Sequence, residues 1–544
     1  MCLLLSILVF EDSKAQQAQY AYRISFTDKS GSPSISNPLV FLSQRALDRR
    51  SNQGISVSSS DLPVSPPYLD TVLTLTQGKL HVTSRWLNSC VVLLTDSSKK
   101  SLIQSKPYIS SIQYVGYFPN GLHKGGGNKF EQELKSQYKT TGTPAYYGAT
   151  WDQTDFLKGD CLHDLGFKGQ GKLIAVLDDG FNYVNSAPAF DSLYNSGRII
   201  DHYNFVLADP FVYGYHSHGT EVLSIIAGNI PGTYVGAAPN AQYALYITED
   251  QASEQPIEMD NIIAGFERAD SLGADIISSS LGYNIFFGPV PYTIPSAQLD
   301  GKTTPAAKAA NMAAEKGMLM VITMGNEGSG GLLTPGDADS ALTVGNVTIS
   351  KTPASSSGYG PNASGRVKPD VCALGQPAKA MLNSLSVFSI NGTSVATPQI
   401  SGFAACLWQA HPGASNYSIK AAIQKSSHLF SNPQMPQLGY GVPDFCVANG
   451  ILDVNDPAKE NQNVTVYPNP FEDEIMIALN SARNESVSIQ IFDITGKAVF
   501  TAKQTVHTGE NMLSFHLASN LTTGIYSCKI TTSSRVQTLK LIKK

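Results

Sequence analysis

Ser394 stands in Asn391-Gly392-Thr393-Ser394-Val395-Ala396-Thr397-Pro398, a glycine turn entering an apolar stretch that runs on through Phe403, Ala404 and Leu407. This pattern predicts a buried helix with Ser394 in its first turn. Backbone N–H groups there have no intrahelical partner, and the helix dipole is positive. A serine so placed can attack a carbonyl and have the resulting oxyanion met by its own N–H. Pro398 is compatible, because its missing N–H falls near the helix start. Taken alone, a Gly-Thr-Ser tripeptide more often caps a helix than supplies a nucleophile. Other residues reverse those odds.

A serine hydroxyl needs a base at neutral pH. His218, in Tyr215-His216-Ser217-His218-Gly219-Thr220, can take its proton and return it to a leaving amine. Asp178, in Asp178-Asp179-Gly180, can hold the other ring nitrogen, fix the tautomer and stabilise the imidazolium. Asn326, in Met324-Gly325-Asn326-Glu327-Gly328, offers a side-chain N–H to the oxyanion. Asp179 must lie close to Asp178. Ionised, it would raise the His218 pKa; bonded to local N–H groups or facing solvent, it would do almost nothing.

The elements that carry these residues read as an α/β pattern. Residues 172–177, 242–247, 275–280 and 318–323 are short apolar runs between turn residues, expected as buried strands. Residues 221–227, stopped by Gly228, and the alanine-rich 305–316 are expected helices. Strands alternating with helices imply a mostly parallel sheet with helices on both faces. Functional residues gather at the carboxyl ends of such strands, and Asp178, Ser280 and Asn326 all fall there.

In these residues the chain resembles the subtilisin-like serine peptidases (subtilases). Ala175-Val176-Leu177-Asp178-Asp179-Gly180, His218-Gly219-Thr220-Glu221-Val222 and Gly392-Thr393-Ser394-Val395-Ala396-Thr397-Pro398 look like the family's aspartate, histidine and serine motifs, in its order. Lys368-Pro369-Asp370-Val371 and Gly439-Tyr440-Gly441-Val442 are further matches. The resemblance implies Asp178, His218 and Ser394 as the triad and Asn326 as the oxyanion donor. It makes Ser280-Leu281-Gly282 the edge that pairs with the substrate backbone, and sets Thr323, Met324 and Gly325 beside the specificity pocket. Departures are Asp179 for a usual Ser or Thr, Val395 for a usual Met, and Met324 at a normally small position. His216 lacks the Gly-Thr that follows His218, and a surface role is expected for it. No cofactor is implied for the chemistry. Structural calcium is common in the family, with no ligand set assignable here.

The flanks extend the resemblance. Residues 1–15 read as a signal peptide, although no Lys or Arg precedes the apolar core. Residues 16–120 sit where a propeptide would, an α+β domain with strands at 20–26 and 90–94 and a helix at 42–50. Phe41-Leu42-Ser43-Gln44-Arg45-Ala46 resembles prodomains of Bacteroidetes subtilases. Residues 121–145, with Gly125-Gly126-Gly127, read as an exposed linker. The catalytic domain would span 146–454 and a second linker 455–462. Seven short strands in 463–544 suggest a small antiparallel β-sandwich. Its Tyr467-Pro468-Asn469-Pro470 and Gly524-Ile525-Tyr526 are similar to type IX secretion sorting domains.

Length, charge and cysteines agree with this reading. The 544 residues exceed one core. A net charge of −5 gives no nucleic-acid footprint, and no segment has the length of a transmembrane helix. Seven scattered cysteines without C-x-x-C argue against a zinc site or a disulfide-dense scaffold, and Cys372 and Cys406 are expected as buried thiols. The implied protein is a self-processing serine endopeptidase, exported through the periplasm to the medium or cell surface. Its implied partners are protein or peptide substrates, its own propeptide as intramolecular inhibitor, and the secretion machinery. An inactive binding protein would have lost a triad member, a non-proteolytic acyl hydrolase would more naturally carry G-x-S-x-G, and a carboxylate-based triad is disfavoured by His218.

Overall fold

The computed structural model describes residues 17–122, 145–433, 435–454, 464–481, 483–517, 521–532 and 536–544. The expected signal peptide, most of the first linker and the second linker lie outside the described residues. The chain forms two compact units, Met1–Asn449 and Gly450–Lys544.

The first unit is built on a seven-stranded sheet, ordered Val371–Gln376, Leu342–Thr348, Leu319–Thr323, Ile276–Ser279, Leu173–Asp178, Gln242–Ile247, Ile199–Asn204. Every pairing is parallel. In Leu173–Asp178 all six residues are buried, which is why it reads as a continuous apolar run. Leu173, Ala175 and Leu177 share one core cluster with helices Ile257–Leu272 and Pro305–Glu315. Ile174 and Val176 point to the opposite face, also fully buried. Helices His218–Ala227 and Thr393–Ala410 pack on each other and on the sheet. The sheet is thus covered on both sides, as expected from the sequence.

The region expected as a propeptide carries a four-stranded antiparallel sheet in the order Lys79–Ser84, Ser89–Leu94, Gln19–Phe26, Ile109–Phe118. All six residues of Ser89–Leu94 are buried, for a reason the alternation of side chains supplies. Cys90, Val92 and Leu94 face the propeptide's own helix Pro66–Thr76, while Val91 and Leu93 join the core cluster of Ile257–Leu272. Polar contacts frame this seam. Asp260 takes both Nε and Nη2 of Arg23, Glu267 takes Ser84 and the N–H groups of Arg85 and Trp86, and Asp270 takes Arg49, Arg50 and Arg85.

The second unit has two antiparallel sheets, Thr465–Tyr467/Glu474–Ser481/Gly509–His516 and Ala498–Val506/Glu485–Phe492/Gly524–Thr531/Val536–Lys543. Alternate residues such as Val487, Ile489 and Ile491 fill its core.

Cys161 and Cys446 form a disulfide between sites 285 residues apart. No pairing was legible in the sequence, because the partners meet only when two segments 285 residues apart come together. Closing so long a loop restricts the unfolded chain strongly, a contribution of about 2–5 kcal/mol. Cys161→Ser should therefore lower the thermal midpoint, and a thiol reductant should lower that of the wild type but not of the variant. Equal melting of the two oxidised proteins would show the bond to be without effect. Cys90, Cys372, Cys406 and Cys528 are buried free thiols.

Candidate active site

Two strand ends and two helix starts converge on one place. Asp178 ends Leu173–Asp178, and His218 opens His218–Ala227. The His218 Nδ1–H donates to Asp178 Oδ1 at 2.7 Å, with His218 8% and Asp178 0% exposed. The Asp179 N–H donates to the same oxygen at 2.9 Å. Gly219 is required here: a Cβ would lie 2.5 Å from Gly180 O and 2.8 Å from Asp178 Cβ. His216 is half-buried, and its backbone packs against Gly180. Burial pushes its pKa down.

Ser394 is the second residue of Thr393–Ala410 and is 3% exposed. Gly392, just ahead, has φ 143°, a region that side-chain-bearing residues rarely adopt. Pro398 lies deeper in the helix than expected and has a consequence there. It has no N–H for the carbonyl four residues back, that of Ser394. The Ser280 hydroxyl donates to that carbonyl instead, at 2.9 Å, tying the strand end 280–282 to the serine. On the other side, Thr323 Oγ1 donates to Thr393 Oγ1 at 2.8 Å. Asn326 Oδ1 accepts from Thr393 N at 2.9 Å and Thr393 Oγ1 at 3.0 Å. With its oxygen so held, the exposed Asn326 keeps its amide N–H groups for another acceptor beside Ser394.

The remaining expected residues separate by exposure. Gly282 is half-buried and Gly325 buried, and neither brings a side chain. Met324 and Leu281 are 0% and 2% exposed and belong to the core cluster, leaving only backbone for a substrate. Two neighbours that the sequence did not single out enter the site: Gln251, which donates to Asp179 Oδ2, and Leu333, which lies against both glycines. Neither sits in a motif.

Asp179 is 2% exposed, and Oδ1 accepts the Gly219 N–H at 3.2 Å. Burial first, then the adjacent Asp178 charge, push its carboxyl well above the usual carboxylate range. With its pKa pushed up, the Asp179 carboxyl carries less charge at His218 than a free carboxylate, so Asp179→Ser should leave the acidic limb of kcat/KM in place to within about 0.3 pH units. A negative charge there would hold the imidazolium, and its removal would move the limb to lower pH. A shift of about one unit downward would therefore show Asp179 ionised. The same raised pKa favours the fold at acid pH and is lost as pH rises through it, so Asp179→Asn should hold its stability better at alkaline pH.

Among the described residues, one acidic grouping lies outside these carboxylates: Glu249, Glu254 and Glu258, with oxygens within 4.8 Å of one another. Together with burial these three push the Tyr283 phenol well up. They are the nearest approach here to a calcium ligand set, and the chemistry of the site does not call on them.

The subtilase family model matches residues 169–450. The chain belongs to the subtilase family. Residues 21–129 match the peptidase S8 propeptide domain of Bacteroidota, and 465–544 match the secretion system C-terminal sorting domain. Similar proteins include an alkaline protease of Alkalihalobacillus alcalophilus, 29% identical over 272 residues, 50% of this chain and 63% of that one. M-protease of Shouchella clausii is 28% identical over 280 residues, 51% and 65% of the two chains. Subtilisin Savinase of Lederbergia lenta is 29% identical over 272 residues, 50% and 88% of the two chains. This subtilase thus spans less than two thirds of the first two relatives. A solved structure of the epidermin leader peptide processing serine protease from Staphylococcus aureus shares the fold, with TM-score 0.54, 15% identity, and coverage of 80% and 99%. No described helix is long and apolar enough to cross a membrane.

Proposed function

We propose that this subtilase is a serine endopeptidase made as a self-processing zymogen, with Asp178, His218 and Ser394 as its triad. The observation that carries this is the buried Asp178–His218 hydrogen bond, set beside a serine at a helix start. His218 Nε2 takes the Ser394 proton as Oγ bonds to the substrate carbonyl carbon, and the C=O electron pair moves to oxygen. Asn326 and the Ser394 N–H meet that oxyanion. The pair returns as the C–N bond breaks, His218 gives its proton to the leaving amine, and water repeats the sequence on the acyl-enzyme. Asp178 holds the ring through Nδ1 and stabilises the imidazolium. No cofactor takes part.

An extended substrate would lie along Ser280, Leu281 and Gly282, between them and Thr323–Gly325, and be read through its backbone. The C-terminal sorting domain assigns the protein to secretion or the cell surface, and export would run through the periplasm and the type IX machinery. The propeptide would inhibit in cis until cleaved. Its last strand, Ile109–Phe118, supports this: Tyr117 exchanges two hydrogen bonds with Gln255, four residues from the Gln251 that holds Asp179. A fluorophosphonate should label the mature protein at Ser394, and sequencing of casein products should show internal peptide cleavage. Failure of both would remove the proposal.

A further inference from the structure

The cleft walls each present a glycine, and the space between the two glycines is filled. Ser280–Gly282 is tied to the Ser394 carbonyl and Thr323–Gly325 to Thr393. A substrate strand laid along Gly282, with its reacting carbonyl between Ser394 and Asn326, sends the side chain of the residue before the cut bond between these walls. A Cβ on Gly282 would lie 2.8 Å from Leu333 Cβ and 3.0 Å from its Cδ1. A Cβ on Gly325 would lie 2.7 Å from the same Cδ1 and 2.9 Å from Cγ. One isobutyl group therefore touches both walls. Absent side chains on both walls would open a slot, and Leu333 takes that room back.

Leu333 is also fixed. Tyr283 N donates to Thr334 O at 2.8 Å and Thr334 N to Tyr283 O at 3.0 Å, an antiparallel bridge that puts Leu333 on the same face as Gly282, diagonal to it. Thr334 is fully buried and shares a 2.6 Å hydroxyl contact with Thr304 at the start of Pro305–Glu315. Leu333 keeps 9% exposure, as a residue closing a recess would. The Glu327 carboxylate lies over the same face of Gly325 and adds negative charge at the mouth.

Resting on the peptidase reading above, we propose that Leu333 determines specificity: it closes the recess for the residue before the scissile bond, so that cleavage follows glycine, alanine or serine. A large side chain would have to displace a packed leucine held on both sides, and an acidic one would meet Glu327.

Two matched internally quenched peptides, with alanine or phenylalanine before one cleavable bond, test this, with sequencing of casein products from the same enzyme. The wild type should favour alanine by at least about a hundredfold in kcat/KM, and its casein products should end in small residues. Leu333→Gly should raise the phenylalanine-to-alanine ratio by about a hundredfold or more, with Leu333→Ala between. A wild type that cuts after large residues as readily as small ones overturns the inference, whatever becomes of the variants. So does an unchanged ratio in variants that still take the fluorophosphonate label. Absence of any peptide cleavage or labelling in the wild type removes the peptidase reading itself, and this inference with it.

Discussion

Ser394→Ala should be recovered as the precursor, with the propeptide still joined, whereas the wild type should yield a product beginning near Tyr146. On the proposed mechanism the Ser394 hydroxyl is the group that attacks, and no other group in it takes over that role. In subtilisin itself, loss of the serine costs about 10⁶ in kcat, a figure that belongs to that enzyme and not to this chain. A comparable loss here would stop cleavage on any practical timescale. The expected products are one band of full length for the variant and two fragments for the wild type, in purified preparations free of other peptidases. Equal maturation of the two would exclude cleavage by the chain's own serine. The variant should fold normally, since the change removes one oxygen from a site tied down through backbone and neighbouring groups.

The second large effect is expected at the propeptide seam. Asp270 is fully buried and receives three guanidinium groups, all from the propeptide, Arg50 at 2.7 Å among them. Arg50 is 1% exposed, and burial pulls the Arg49 pKa down. Removing one member of a buried ionic set leaves the others without compensation, at a cost of about 3–5 kcal/mol. Asp270→Ala should therefore weaken inhibition by separately added propeptide by about a hundredfold to several thousandfold. The mature catalytic domain should melt at an unchanged or higher temperature, because once the propeptide leaves, this face of Ile257–Leu272 is returned to water. A change in inhibition below tenfold would show that apolar packing of Val91, Leu93 and Trp86 dominates the seam.

Much of the arrangement could be read from the sequence, and for a local reason. Four of the seven central strands are short apolar runs between turn residues, buried on both faces, and such runs announce themselves without a partner. The proposed triad residues stand at the ends of those strands or at helix starts, so motif and position reinforce each other. Leu342–Thr348 and Val371–Gln376 escaped notice because Gly345, Asn346 and Gly375 interrupt their apolar pattern, and Ile199–Asn204 because it is a half-exposed edge strand. Helix Ile257–Leu272 carries Asp260, Glu267 and Asp270 on a face that only the propeptide buries, so its charges masked its role.

What only the tertiary structure decided are relations between distant residues. The sequence left Asp179 between two readings. The Gly219 N–H and Gln251 bond its carboxyl oxygens, which is the bonded reading, while burial and the adjacent Asp178 charge push its pKa up against them, since desolvation depends on what surrounds the group and not on its neighbours in the chain. Met324 looked placed to meet substrate, but strand alternation turns it into the core. Leu333 carried no signal at all, being one apolar residue before Thr334-Pro335, and it acquires meaning because the fold brings it against Gly282, 51 residues earlier. Motif and position named the candidate reacting groups. Which side chains fill the space between them was set by packing, where a contact between residues far apart in sequence has no local imprint.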